Sequence, residues 1–181
     1  MKRVFIFLTA AFLIVSAGLG WATSFEQRNF DQLVAESDEI FVGTASDAVS
    51  RKLATGGIVT DVTFTNLQIV KGNTANAAIT LMTMGGTIGA ETLAIRGVPK
   101  FQIGSTYVVF SQGNGTTIFP VVGGDQGMFQ VKADAATGES LVFNSRGMPI
   151  TSPSVLQAVS LQTPSSVPLA IFLQAVRGRL P

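Results

Sequence analysis

The chain contains no cysteine and no histidine. Without cysteine there is no disulfide framework, no thiol nucleophile and no thiolate metal site. Without histidine there is no Ser-His-Asp triad, no zinc site of the His/Cys kind and no haem ligation through that side chain. The residue best suited to general acid–base work near neutral pH is therefore missing. What remains for catalysis is a carboxylate pair, a Ser-Lys dyad or an all-oxygen metal site. No Ser-x-x-Lys motif, no EF-hand spacing and no phosphate-binding loop occurs. No cofactor, no metal and no catalytic residue is expected on these grounds. Charge is scarce as well: Asp, Glu, Lys and Arg make up 13% of the chain, and no basic run exceeds two residues. A nucleic-acid or anionic-membrane binder needs a basic field that this sequence does not supply.

What is present begins with a signal. Met1-Lys2-Arg3 is a short basic start, Val4 to Val15 is uncharged and almost wholly apolar, and Ser16 to Ala22 is rich in small residues. That layout is a secretory signal peptide, with cleavage expected after Ala22 between small residues at Gly20 and Ala22. The competing reading is an uncleaved anchor, since Val4 to Ala22 approaches the ~20 residues that span a bilayer. The strongly apolar part is shorter than that, which favours cleavage. The expected location is the periplasm or the medium, with no membrane span after cleavage. The mature chain keeps 159 of the 181 residues, and loss of Lys2 and Arg3 leaves 10 basic against 11 acidic residues, a net charge of −1. A chain of that length can bury a sufficient core without cross-links.

The periodicity predicts a mainly β domain over 23–148 and a Pro/Ser/Thr-rich connection with a C-terminal helix over 149–181. A short helix is expected over Phe30–Glu36, capped by Ser24 or Asn29. Glu39 to Val49 opens with the apolar run Ile40-Phe41-Val42 and reads as a buried strand; Arg51 to Gly57 reads as a polar turn. Ile58 to Lys71 is the clearest strand: Ile58, Thr60, Val62 and Phe64 share one face, after which Leu67 and Ile69 carry the apolar face on the opposite parity. Such a switch predicts a bulge near Thr65-Asn66. Further strands are expected at Ala78–Thr83, Glu91–Arg96, Ser105–Ser111 and Thr117–Val122, and a hairpin joins Gly127–Lys132 to Ser140–Asn144. A short helix at Ser154–Ser160 and an amphipathic helix over Pro168–Arg177, ending at Gly178, complete the reading. Seven or eight short strands and one long bent strand predict a small antiparallel OB-like β-barrel.

One order of motifs is familiar. Ser37-Asp38-Glu39-Ile40-Phe41-Val42-Gly43-Thr44 is followed by Thr60-Asp61-Val62-Thr63-Phe64 and Val70-Lys71-Gly72. Then come Gly85-Gly86, Pro99-Lys100-Phe101, Gly104 with Tyr107-Val108-Val109-Phe110, and Gln126-Gly127-Met128-Phe129. Over roughly residues 30–147 this resembles a family of uncharacterised bacterial secreted proteins, which implies export but no activity. The front half is also similar to the netrin/tissue-inhibitor-of-metalloproteinase module, which implies an OB-type barrel. Inhibitors of that kind act through an N-terminal cysteine that this chain lacks, so their mechanism does not carry over.

Two glycine-rich segments are the candidate binding sites. In Gly123-Gly124-Asp125-Gln126-Gly127 the backbone can approach a ligand closely and Asp125 can meet a cation or a donor; the simpler reading is a tight turn. Gly85 and Gly86 open a run through Gly89 that can frame a ligand mouth, or is merely a mobile loop. Asp38 and Glu39, with Asp47 or Asp61, are the available acidic group, against a reading as solvated strand ends. Tyr107 and the phenylalanines lie in apolar runs and read as core rather than as a base-stacking face. The function expected is a non-catalytic exported module that binds an extracytoplasmic protein through its loops. The alternatives are a carboxylate-based hydrolase, whose two acids must converge within about 5–10 Å, and a carrier of small apolar ligands with a hollow interior.

Overall fold

A computed structural model describes residues 26–151 and 166–181. The expected signal segment at 1–22 and the short helix at Ser154–Ser160 lie outside the described residues. The first helix, α1 (Phe30–Glu36), starts at a reciprocal cap: the Asn29 side chain accepts from Gln32 N, and the Gln32 side chain accepts from Asn29 N. At its other end Ser37 Oγ donates to Leu33 O at 2.6 Å and Lys71 Nζ donates to Val34 O at 2.8 Å. Carbonyls that a helix leaves unpaired are thus satisfied, and Phe30, Leu33 and Val34 turn inward.

Six strands form one antiparallel sheet: β1 (Glu39–Lys52), β2 (Ile58–Lys71), β3 (Ile79–Met84), β6 (Thr106–Ser111), β7 (Met128–Ala133) and β8 (Ser140–Phe143), in the spatial order β3-β2-β1-β6-β7-β8. A separate two-stranded ribbon pairs β4 (Gly86–Ile88) with β5 (Glu91–Leu93). The second long-range helix, α2 (Leu169–Arg177), ends at Gly178.

The central strands β1 and β6 are apolar on both sides because both sides are covered. Ile40, Val42, Val108 and Phe110 face the helices, where they meet Phe30, Phe129, Phe172 and Val176. Phe41, Ala45, Tyr107 and Val109 face the opposite way into a second cluster with Val62, Phe64, Ile79 and Leu81. Aromatic rings organise each cluster. Phe30 lies 5.4 Å from Phe172 and 6.1 Å from Phe110. On the other face Phe64, Phe101 and Tyr107 stack edge to face at 4.9 and 5.1 Å.

The predicted bulge in β2 is present. Thr44 pairs with Thr65 but Val42 with Gln68, so two steps on β1 match three on β2, and Asn66 takes φ +53°. Before the bulge Val62 and Phe64 enter the second cluster; beyond it Leu67 and Ile69 do. Gly43 lies opposite, and an added Cβ there would sit 2.9 Å from Leu67 Cδ2.

Four expectations are corrected. The sheet is open, with β3 and β8 as its outer strands, instead of a closed barrel. The helix α2 packs against both β2 and β8, two strands that are not neighbours in the sheet. Residues 85–89 are not a loop, because Gly86–Ile88 finds a partner in β5. Thr117–Val122 is not a strand: it makes a single bridge, Ser111 with Val121, flanked by bonds from Gln112 N to Pro120 O and from Val122 N to Phe110 O. Arg51 and Lys52 belong to β1, and the turn starts at Leu53.

Candidate functional site

The glycine-rich ribbon is seated on the face of the β1–β2 hairpin. Thr60 Oγ1 donates to Gly85 O at 2.7 Å, Ser50 Oγ lies 2.9 Å from Thr60 Oγ1, and Thr87 N reaches Ser50 Oγ at 3.3 Å. Gly86, at φ +141°, passes so close to both hydroxyls that a Cβ would overlap them. Glycine is required there for close approach of backbone to sheet. Lys52 Nζ adds an ion pair to Glu91 at 2.5 Å. The ribbon is thus seated at Gly85 and Gly86, and toward its tip Thr87, Gly89, Ala90, Glu91 and Thr92 are exposed. Thr87 and Thr92 join their side chains across the ribbon at 3.0 Å.

The second segment forms one tight 3₁₀ turn, Gly124–Gly127, entered through two residues with positive φ, Gly123 and Gly124. Its polar atoms serve the fold. Gln126 Oε1 accepts Arg28 N at 2.9 Å, and Gln126 Nε2 donates to Glu26 O and Gly123 O at 3.0 and 2.8 Å. Asp125 N donates to Gly97 O at 2.8 Å, while the Asp125 carboxylate has no hydrogen-bond partner among the described residues. An added Cβ at Gly127 would sit 2.5 Å from Val122 O, so this glycine answers to packing. The turn therefore ties the segment before α1 to the start of β7. No hydrogen bond links it to the ribbon among the described residues, and the two predicted segments do not form one site.

The acidic group does not assemble. Asp38 and Glu39 lie at the start of β1 and Asp47 lies eight residues further along it, roughly 26 Å away at strand rise. Each end has local work: Asp38 accepts from Gly113 N, Glu39 accepts from Thr74 Oγ1, and Asp61 holds Arg51 at 2.6 Å. The Asp61 carboxylate raises the Arg51 pKa further above its ordinary value. Among the described residues no group of three or more Asp and Glu is placed to hold a metal ion.

One feature was not legible from the sequence. An open groove of about 370 Å³ runs between one side of α2 and its cap (Pro168, Leu169, Leu173, Arg177), Gln68 of β2, and Glu139 and Ser140 at the start of β8. It is made by three segments far apart in the chain, and none of them carries a local motif.

The fold and these sites define a class in structural terms: a mainly β domain, one bent antiparallel sheet with helices on one face and a ribbon on the other. No protein-family model, curated protein or solved structure matches the chain.

Proposed function

We propose that this protein is an exported, non-catalytic binding module that meets an extracytoplasmic protein through the tip of the β4–β5 ribbon. The observation that carries the reading is the contrast within the ribbon. Its base is seated by Gly85 and Gly86 on the Ser50 and Thr60 hydroxyls, while toward its tip Thr87, Gly89, Ala90 and Thr92 are exposed and Glu91 meets Lys52 in a half-exposed ion pair. A pre-organised hairpin binds with less ordering cost than a free loop. The sequence supports export through its N-terminal signal pattern, in line with the resemblance to bacterial secreted proteins. The OB-type reading rests on the order of motifs together with the bent β1–β2 pair. The turn at Gly123–Gly127 contributes by holding the scaffold.

The test is capture from the envelope and medium of the native organism, using the exported chain and a variant with Ala90→Lys and Thr92→Lys at the tip. The proposal expects a reproducible, stoichiometric protein that the exported chain retains and the variant loses. Equal capture by both chains contradicts a ribbon-tip site. Intact mass of the bait, expected to begin at Thr23, checks the export reading in the same sample.

A further inference from the structure

Each of the two outer strands of the sheet is met by a loop over part of its edge. On β3, Met84 N donates to Ile118 O and Thr80 O accepts from Asn114 Nδ2. On β8, Val142 N donates to Val167 O, its carbonyl accepts from Ile150 N, and Ser166 Oγ also reaches it. Among the described residues, a run of backbone edge without a strand partner lies on β1. β1 pairs with β6 only as far as Thr44, and Ala45 still bonds Ser105 O and Gly104 N. From Asp47 to Lys52 its one strand partner among the described residues is β2.

Which groups face outward follows from the ladder. Leu53 N donates to Gly57 O, and bonded and non-bonded pairs alternate in an antiparallel ladder. Arg51, Val49 and Asp47 therefore point their backbone groups at β2, and Lys52, Ser50 and Ala48 point theirs away. Two bonds agree with this parity: Ile58 O is taken by Gly85 N on the β3 side, and Ala48 N is met by the Asp47 carboxylate at 2.8 Å. The ribbon does not cover this edge, since it lies over the Ser50/Thr60 face.

We infer that two copies of this chain associate edge to edge, antiparallel, about a two-fold axis at Val49. In that register Ala48 of one copy and Ser50 of the other exchange both backbone bonds, Ala48 N giving up the Asp47 carboxylate it meets in the single chain, and the arrangement repeats on the far side of the axis. Val49, 54% exposed, meets its own copy. Asp47 faces Arg51 of the other copy, at a non-bonded pair where side chains approach closest. Charges on an edge ordinarily deter pairing. Here they are opposite in sign and equidistant from Val49, so they select this register: a slip by two residues in either direction, which keeps the outward backbone groups paired, sets Asp47 and Arg51 against Val49, Ala45 or Leu53. Arg51 uses Nε and Nη2 on Asp61, which leaves Nη1 for the incoming Asp47. Ile103, 49% exposed and next to Gly104, flanks the edge with further apolar surface. An interface this short falls below the ~1,200 Å² of stable complexes, so the dimer is weak and concentration-dependent.

The test is sedimentation equilibrium of the exported chain over a concentration series, with two variants of the edge. Ala48→Pro removes an outward donor that β2 does not use, and Val49→Lys places like charges at the axis. Each is expected to weaken dimerisation on the order of tenfold or more while leaving the far-ultraviolet spectrum unchanged. A cross-linking arm reads the register: Val49→Cys supplies the chain's sole cysteine and oxidises to a covalent dimer, whereas Ile171→Cys, exposed on α2, does not. A monomer at every concentration overturns the inference. So does a dimer untouched by both edge variants, or equal cross-linking at the two cysteines. This outcome is independent of whether the ribbon tip captures a partner.

Discussion

From Glu39 to Ala45, β1 runs between β2 and β6, with Ile40, Phe41 and Ala45 fully buried; from Ser46 to Lys52 its strand partner among the described residues is β2 alone, and every residue but Ser50 is exposed. One strand thus serves two purposes. The first half joins both core clusters, because alternate residues enter opposite faces. The second half extends a hairpin beyond the core, where it carries the ribbon on one face and an Arg51–Asp61 pair on the other. The change falls at Ser46, where β1 bulges against β2. The difference shows how a small sheet without disulfides separates a region that supplies stability from one that presents surface.

The largest expected break of this contrast is in the buried half. Phe41→Ala removes a ring packed 5.3 Å from Phe64 and is expected to cost about 3–5 kcal/mol in denaturant unfolding. Gly86→Ala comes next: it forces a methyl group into the Ser50 and Thr60 hydroxyls at a positive φ. The expected cost is about 1–3 kcal/mol, with amide shifts confined to the ribbon and its seat in a heteronuclear spectrum. A spread of shifts into the Phe110 cluster would mean that the ribbon is part of the core.

A smaller effect sharpens the comparison, because exposure alone does not make a segment loose. Asp134 is exposed, yet its carboxylate accepts from Ala136 N, Thr137 N and Thr137 Oγ1 in the β7–β8 turn. These bonds hold its pKa below the ordinary value of 3.8. A depressed carboxyl adds stability above its unfolded pKa and loses it as pH falls through the folded one. Asp134→Ala is therefore expected to flatten the loss of stability below about pH 4, with little change in the slope near neutrality. An unchanged acid limb would contradict the assignment. The smallest effect belongs to the outer half of β1: Val49→Ser, in dilute protein, is expected to stay within about ±0.5 kcal/mol.

Much of the scaffold is legible in local pattern. The capped α1, the parity switch in β2 and the α2 helix with its terminal glycine are all written in a few adjacent residues. The glycines misled in an informative way. Gly85 and Gly86 signal a close backbone approach, but Ser50 and Thr60, which they approach, stand far away in the chain and carry no mark of it. Only β4 reads as a loop, because a three-residue strand holds too few residues for alternation to register, whereas β5 falls within the strand expected at Glu91–Arg96 and ends early, at Leu93. Thr117–Val122 has a strand composition, yet the interruption at Pro120 and the demands of Gly113–Thr116 leave it with one bridge. Barrel closure is a long-range property of β3 and β8 that no local pattern encodes. The groove beneath α2 was invisible for the same reason.

The division of β1 is tested most directly by native-state hydrogen exchange on dilute protein. The amides of Val42, Val108 and Phe110 are expected to exchange only through global unfolding, and those of Ala48, Ser50 and Lys52 orders of magnitude faster. Exchange at Ala48 and Lys52 as slow as at Val108, under the same dilute conditions, would show that the outer half of β1 is covered within a single chain and would contradict the account.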